Sequence, residues 1–204
     1  MRLSHMFVVG FGLCVATTAS GQMGGTSSAA PAEKIRNAMA AGPASVTADA
    51  TIMDWPAVKG GASTQLRAGT NGWICYPRSS KTIDNAMCLD PVFQQWMSAI
   101  RTKTAPRITR IGLAYLLAGG FIGSAHDPFS TGPTDTNDWG RDGPMIMVIS
   151  PDPSLYAGLP TRRSTGPYVM YAGTPYISSA AGWDRSAGPR CREIPRISTR
   201  PTRR

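Results

Sequence analysis

The sequence contains little histidine and almost no glutamate. Of its 204 residues, 2 are His, and the 12 acidic residues are all Asp except Glu33 and Glu193. His126 is the only histidine after residue 20, so it is the only imidazole base available beyond the N-terminal segment. There is no G-x-S-x-G elbow, no phosphate-binding G-x-x-x-x-G-K-[ST], no G-x-G-x-x-G and no C-x-x-C. These absences exclude the common nucleotide-binding loops and weaken any case for nucleophilic catalysis.

Long hydrophobic runs are also missing. The longest apolar run near the N-terminus, at residues 6–16, spans about 11 residues and is too short for a hydrocarbon core of ~30 Å. It follows Arg2 and leads into small residues, which is typical of a secretory signal peptide at residues 1–20. The alternative is a buried N-terminal helix. We therefore predict an exported bacterial protein, periplasmic or extracellular, with no transmembrane segment after signal removal.

The positive charge is concentrated at one end of the chain. The net charge is +9 and the pI about 9.9, yet residues 44–182 carry only 11 Lys/Arg against 9 Asp. We therefore expect no nucleic-acid binding by the folded domain. Residues 181–204 are rich in Arg and Pro and predict a disordered tail, which is either a basic arm for anionic partners or an out-of-frame ending.

Cysteine is scarce, with 4 residues, of which Cys14 lies in the predicted signal peptide. Cys75 and Cys88 are 13 positions apart across a polar stretch, and export permits a disulfide between them. Two free buried thiols or a metal pair are the alternatives. A metal pair lacks histidine partners. Cys191 is left as an odd thiol in the tail.

The remaining pattern predicts an α+β fold. After a low-complexity linker at 21–32 and a short helix at 33–41, short apolar segments predict strands at 50–55, 64–67, 72–76, 108–118, 144–149 and 168–172. Asp90 as N-cap, Pro91 and a broad apolar face predict one clear helix at 90–103. The expected architecture is a single domain at 33–180 with flexible ends, in which this helix covers a small, mainly antiparallel sheet.

The long connection at residues 119–143 holds the candidate catalytic residues. His126 and Asp127 are adjacent there, and a hydrolase could use His126 as its base or an Asp pair from the same loop. The alternative is that His126 is bonded locally and that the aspartates form turns, which their short side chains favour.

The same connection is rich in oxygen donors that could hold Ca²⁺: Asp135, Asn137, Asp138 and Asp142. The EF-hand pattern fails because Trp139 and Ile146 occupy ligand positions and the bidentate Glu is missing. Two interpretations of this segment remain: an irregular calcium loop, and an ordinary solvated turn with a partly buried Trp139. We predict no cofactor, with calcium as the one alternative.

Several longer motifs occur together in this chain. They are TIMDWP at 51–56, GTNGWICYP at 69–77, CLDP before a Trp-bearing helix at 88–96, IGLAYLLAGG at 111–120, DPF at 127–129, GPMIMVI at 143–149 and GPYVMYAGTPY at 166–176. This set resembles a group of exported bacterial proteins of unknown function, over about residues 35–176. The resemblance implies an exported α+β domain, and it implies no activity or catalytic residue.

These observations favour an exported, non-catalytic binding or structural protein whose ligand and partners the sequence does not identify. The alternatives are a hydrolase at the 119–143 connection and a calcium-stabilised extracytoplasmic module. The hydrolase requires that His126, Asp127 and the 135–142 carboxylates converge in one cavity.

Overall fold

A computed structural model describes residues 30–58, 60–79, 86–119, 122–163 and 166–182. The predicted signal peptide at 1–20, the linker up to residue 29 and the tail from residue 183 lie outside these residues. The first described helix begins at Pro31, inside the predicted linker, and the last strand ends at Gly182, inside the predicted tail.

Ten strands and three short helices make up the described fold. The strands are β1 Thr51–Asp54, β2 Thr64–Arg67, β3 Ile74–Tyr76, β4 Met87–Leu89, β5 Gly112–Leu116, β6 Ile122–Ser124, β7 Trp139–Arg141, β8 Met145–Ile149, β9 Pro167–Met170 and β10 Ser178–Gly182. The helices are α1 Pro31–Met39, α2 Ala44–Thr47 and α3 Pro91–Thr102, and a 3₁₀ turn spans Pro153–Tyr156.

The prediction of a small sheet covered by one helix is wrong. Eight strands form a large mixed sheet in the order β2-β1-β3-β4-β5-β8-β10-β9, and β6 pairs with β7 in a second, two-stranded sheet. The β1–β3 pair is parallel, while the other neighbours in the large sheet are antiparallel. The α+β class itself fits, because helices and strands do not alternate regularly.

The sheet was underestimated because four strands have weak local patterns. The strands β4, β6 and β7 contain three residues each, which is too short for a visible alternation. The strand β10 consists of Ser, Ala and Gly, which have little β-propensity, and it forms because β8 and β9 pair with it on both sides.

The helix predicted at 90–103 forms as α3, and its first turn explains its position. Asp90 Oδ1 accepts a hydrogen bond from the Phe93 amide at 2.6 Å, which is the predicted N-cap. Asp90 Oδ2 accepts from the Leu113 amide at 2.9 Å. One carboxylate therefore both starts α3 and fixes it to β5. The helix ends at Lys103, which has a positive φ of 55°.

The alternation of strand side chains divides the core into two faces of the large sheet. The first, which we call the alanine face, is covered by α1 and contains Ala38, Ala41, Ala50, Ile52, Cys75, Ala86 and Cys88. The second, the aromatic face, is covered by α3. Its buried residues include Phe93, Trp96, Tyr168, Tyr171 and Tyr176, with Met87, Met145, Met147 and Met170. Helices therefore lie on both faces of the sheet, which the sequence analysis did not foresee.

The predicted disulfide is confirmed. Cys75 in β3 and Cys88 in β4 are bonded, and the two residues lie directly opposite each other in the antiparallel pair. Both are fully buried on the alanine face. The turn after α1 packs on this bond, because a Cβ at Gly42 would lie 3.5 Å from Cys88 Sγ. The disulfide is thus part of the packed core.

In the part of the chain that the structure describes, no helix has the length and apolar character needed to cross a bilayer.

Candidate functional site

The connection predicted as a long loop at 119–143 contains the hairpin of β6 and β7. We call residues 122–143 the cap. The cap lies over the aromatic face, where Ile122, Phe129 and Trp139 share a cavity with α3. It is joined to the end of β9 by a hydrogen bond of 2.7 Å from the Tyr171 amide to the Ala125 carbonyl oxygen.

Polar side chains hold the cap in shape from inside. Ser124 Oγ donates to the Asn137 carbonyl at 2.6 Å and accepts from the amides of His126 and Asp127. The Asn137 side-chain amide donates to Ser130 Oγ and to the Gly132 carbonyl. Both Ser124 and Asn137 are buried. Because their polar groups are satisfied within the cap, the loop keeps a defined shape with only one short pair of strands.

A buried ion pair attaches the cap to the large sheet. The Arg163 guanidinium forms a salt bridge with Asp142 and donates to the Gly123 carbonyl at 2.8 Å. The Arg163 amide donates to Asp138 Oδ2 at 2.6 Å. The Tyr168 hydroxyl in β9 lies 3.0 Å from both carboxylate oxygens of Asp142. The cluster of Arg163, Asp142 and Tyr168, which we call the anchor, connects both cap strands to β9.

Electrostatics keep the Arg163 guanidinium protonated. Burial acts to lower the pKa of Arg163, but Asp142, Tyr168 and Asp138 act to raise it by more, so the net pKa lies above its usual value. Burial first, and then Asp142, raise the pKa of Tyr168 well above its usual 10, so this hydroxyl remains a hydrogen-bond donor. Gly140 leaves the space for the guanidinium, because a Cβ there would lie 2.9 Å from Arg163 Nε.

His126 is placed as a structural residue of the cap. Its Nδ1 lies 2.7 Å from the Thr136 carbonyl oxygen, and its Nε2 lies 3.2 Å from the Thr161 carbonyl oxygen. A general base needs a ring nitrogen that faces a substrate. Both nitrogens of His126 instead face main-chain acceptors, so the ring bridges the cap and the segment before Arg163.

The calcium candidates do not converge on one point. Asp142 is bound in the anchor, Asp138 accepts from the Arg163 amide, and Asn137 bonds within the cap. Asp135 is exposed. Among the described residues, no group of three or more His, Cys, Asp or Glu side chains is placed to hold a metal ion. Of the acidic residues of the cap and His126, only Asp127 lines the cavity that the described residues form beneath the cap.

A cavity of about 580 Å³ lies between the sheet, α3 and the cap. This volume falls within the range of about 300–1,000 Å³ that is usual for small-molecule sites. Its walls are largely apolar. The lining residues are Met87, Leu89, Phe93, Trp96, Met97, Ile100, Ala114, Leu116, Ile122, Gly123, Ser124, Asp127, Pro128, Phe129, Ser130, Thr131, Trp139, Met147 and Tyr171.

Two of the aromatic residues that line this cavity are unusual, one in its unpaired N–H group and the other in its backbone conformation. Trp96 is 3% exposed, and its Nε1 finds no acceptor among the described residues. Tyr171 has a φ of 58°, in the left-handed region that non-glycine residues seldom occupy. Its ring stacks near Trp96 with centroids 6.2 Å apart, and burial raises the pKa of Tyr171 above its usual 10. Such backbone conformations cluster at ligand sites.

Asp127 is the charged residue among those that line the cavity. It is exposed, and its Oδ1 accepts a hydrogen bond from the Phe129 amide at 2.9 Å. Phe129 packs edge-on against Tyr176, with centroids 5.2 Å apart, and Lys103 Nζ lies 5.5 Å from the Phe129 ring centroid. Asp127, which sequence analysis proposed as catalytic, therefore lies where the cavity meets the surface.

Sequence reasoning placed Asp142 in the wrong context and missed Arg163 and Tyr168. Arg163 follows the exposed Arg162, and nothing in their spacing distinguishes a buried guanidinium from a solvated one. The apolar face of α3 is predicted correctly, but nothing in its spacing indicates that this face borders a cavity.

Comparison of the chain with models of protein families, with curated proteins and with solved structures finds no match.

Proposed function

We propose that this protein is an exported, non-catalytic binding protein that holds a small, largely apolar molecule between α3, the sheet and the cap. The observation that carries the proposal is the apolar cavity of about 580 Å³ on the aromatic face. Large apolar cavities reduce stability, because their walls lose contacts. In this protein the hydrogen-bonded cap and the buried anchor hold such a cavity open despite that loss of stability.

Among the residues that the structure describes, no catalytic group is assembled, and this favours binding over hydrolysis. Asp127 is the one candidate that reaches the cavity, and both nitrogens of His126 face main-chain carbonyls. The buried disulfide and the signal-like N-terminus support an extracytoplasmic location, because disulfides persist in oxidising compartments.

The test uses benzophenone, an apolar ketone that forms covalent bonds with nearby C–H groups when irradiated. We expect saturable binding, and we expect labelling to concentrate in the tryptic peptides 82–101 and 111–141, which contain α3 and most of the cavity wall. A competing apolar molecule should reduce this labelling.

The matched variant is Ala114→Leu, which places a larger side chain in the cavity from β5. It should abolish saturable labelling while the protein stays folded by circular dichroism. Labelling spread over all peptides in proportion to their exposure, and unaffected by Ala114→Leu, would reject the proposed function.

A further inference from the structure

We infer that the ligand is an organic cation, an ammonium group attached to an apolar body, whose charge is held by Asp127 at the opening of the cavity beneath the cap. This inference rests on the proposed function, because it assigns the chemistry of the same cavity. It adds the sign of the ligand's charge and the residue that recognises it.

The wall of the cavity carries charge of one sign. Asp127 is the charged residue among those that line it, and the described lining contains no Lys, Arg or His. Asp127 is exposed, so a molecule that enters from solvent can reach it. Among the described residues no salt bridge joins Asp127 to a basic side chain, since the bridges there use Asp54 and Asp142. The carboxylate is therefore available to a cation from outside the chain.

Hydrogen bonds within the cap hold Asp127 in one position. Its amide donates to Ser124 Oγ at 2.8 Å, and its carbonyl oxygen accepts from the Ser130 amide at 3.3 Å. Its side chain is held as well, because Oδ1 accepts from the Phe129 amide at 2.9 Å. A charge that is fixed before binding loses little entropy when it takes up a partner.

Aromatic rings supply the second feature of a cation site. The rings that line the cavity belong to Phe93, Trp96, Phe129, Trp139 and Tyr171. The faces of such rings attract cations, and they do so more strongly where water is excluded. Burial is the largest cause that raises the pKa of Tyr171, and the charge of Asp127 adds to it, so the field of this carboxylate reaches the wall. Lys103, which does not line the cavity, shows the same attraction, because its Nζ lies 5.5 Å from the Phe129 ring centroid.

Neutral and anionic ligands suit this wall less well than cations do. A neutral molecule that fills the opening removes water from the Asp127 carboxylate and gives it no partner in return. An anion adds repulsion between like charges to that cost. A cation replaces the lost water with an ion pair, so the wall favours it over both.

The test uses three probes that share one benzophenone body. Benzophenone is neutral, (4-benzoylbenzyl)trimethylammonium has a permanent positive charge, and 4-benzoylbenzoate is an anion. Calorimetry at neutral pH measures the affinity of the full chain for each. We expect the ammonium probe to bind about fivefold more tightly than benzophenone, the combined effect of an ion pair and ring contacts at a partly exposed position. The benzoate should bind more weakly than benzophenone.

The variant is Asp127→Asn, which removes the charge and keeps an oxygen that can accept from the Phe129 amide. The matched control is Asp135→Asn, which makes the same change of charge at an exposed residue of the cap outside the cavity lining. We expect the ammonium-to-benzophenone affinity ratio to fall to about one in Asp127→Asn and to stay unchanged in Asp135→Asn. An unchanged ratio in Asp127→Asn, or an equal fall in both variants, would overturn this inference, while saturable benzophenone binding would still support the proposed function.

A second measurement needs no substitution, which covers the case that Asp127→Asn does not fold. The chain has a net charge of +9, so its overall field repels cations, and added salt screens that repulsion. The contact with Asp127 is attractive, so salt weakens it instead, and the shared body cancels the effect of salt on apolar burial. We therefore expect the affinity ratio of the wild-type chain to fall as sodium chloride is added.

A ratio that rises with salt, or does not change, would overturn the inference and leave the proposed function intact. If neither benzophenone nor the ammonium probe binds the wild-type chain, the proposed function fails and this inference fails with it.

Discussion

The alanine face and the aromatic face use opposite means to stabilise the same sheet. On the alanine face, small side chains let α1 approach the strands closely, and a disulfide joins two of those strands. On the aromatic face the side chains are large, yet they leave a cavity of about 580 Å³. The large residues of the aromatic face thus enclose a cavity, while the small residues of the alanine face pack closely against α1.

This difference indicates that the two faces have different tasks. Close packing of small residues maximises contact and leaves no room for a guest. The aromatic face instead depends on polar interactions at its border, namely the anchor and the bonded interior of the cap, to hold its walls apart. The alanine face supports the sheet, and under the proposed function the aromatic face serves the ligand.

The largest expected effect comes from breaking the anchor. Arg163→Met leaves the buried Asp142 carboxylate without its cation, and such changes cost about 3–5 kcal/mol of unfolding free energy. Urea denaturation measures the loss, and saturable benzophenone binding should disappear with it. Arg162→Met, one residue away and exposed, should change the unfolding free energy by less than ~0.5 kcal/mol. Equal effects of the two substitutions would contradict a structural anchor.

Removing the disulfide tests the contribution of the alanine face. Replacing both Cys75 and Cys88 by Ala removes a cross-link between residues 13 positions apart, and should lower the unfolding free energy by about 3 kcal/mol. Because the disulfide lies on the alanine face, probe affinity at temperatures well below unfolding should remain within about twofold of wild type. A large loss of affinity in a folded double variant would show that the two faces are not independent.

The smallest effect comes from one substitution placed on each face. Ala38→Leu adds three carbons to the closely packed alanine face and should cost about 1–3 kcal/mol. Ala114→Leu adds the same carbons beside the cavity, where they should be tolerated or should stabilise by about 0.5–2 kcal/mol. Thermal unfolding compares the two. Equal destabilisation would mean that the cavity does not accept the added side chain.

Local sequence patterns were sufficient to predict the elements whose boundaries are determined by their own residues. Asp90 and Pro91 mark the start of α3, and short apolar runs locate most of the longer strands. The spacing of Cys75 and Cys88 predicted their disulfide. In contrast, β10 has no apolar pattern of its own, because its place is decided by strands that pair on either side.

The candidate site was predictable only in its location on the chain. The sequence points to the 119–143 connection but assigns its chemistry to His126 and to the aspartates. In the fold, backbone carbonyls hold His126, and Arg163, which lies outside the connection, holds Asp138 and Asp142. A cavity assembled from a helix, a sheet and a hairpin has no spacing rule, since its residues meet only in the folded chain.

The anchor also fixes the order in which the molecule can be completed. The contacts of the alanine face form within residues 35–118, including the disulfide and the bond from the Leu117 amide to the Ala41 carbonyl. The cap can be attached to the sheet only after Tyr168 and Arg163 have been reached, and Arg163 lies 40 positions after Gly123. Because contacts between distant residues form slowly, we expect the folding chain to acquire its covalent cross-link first and its cap last.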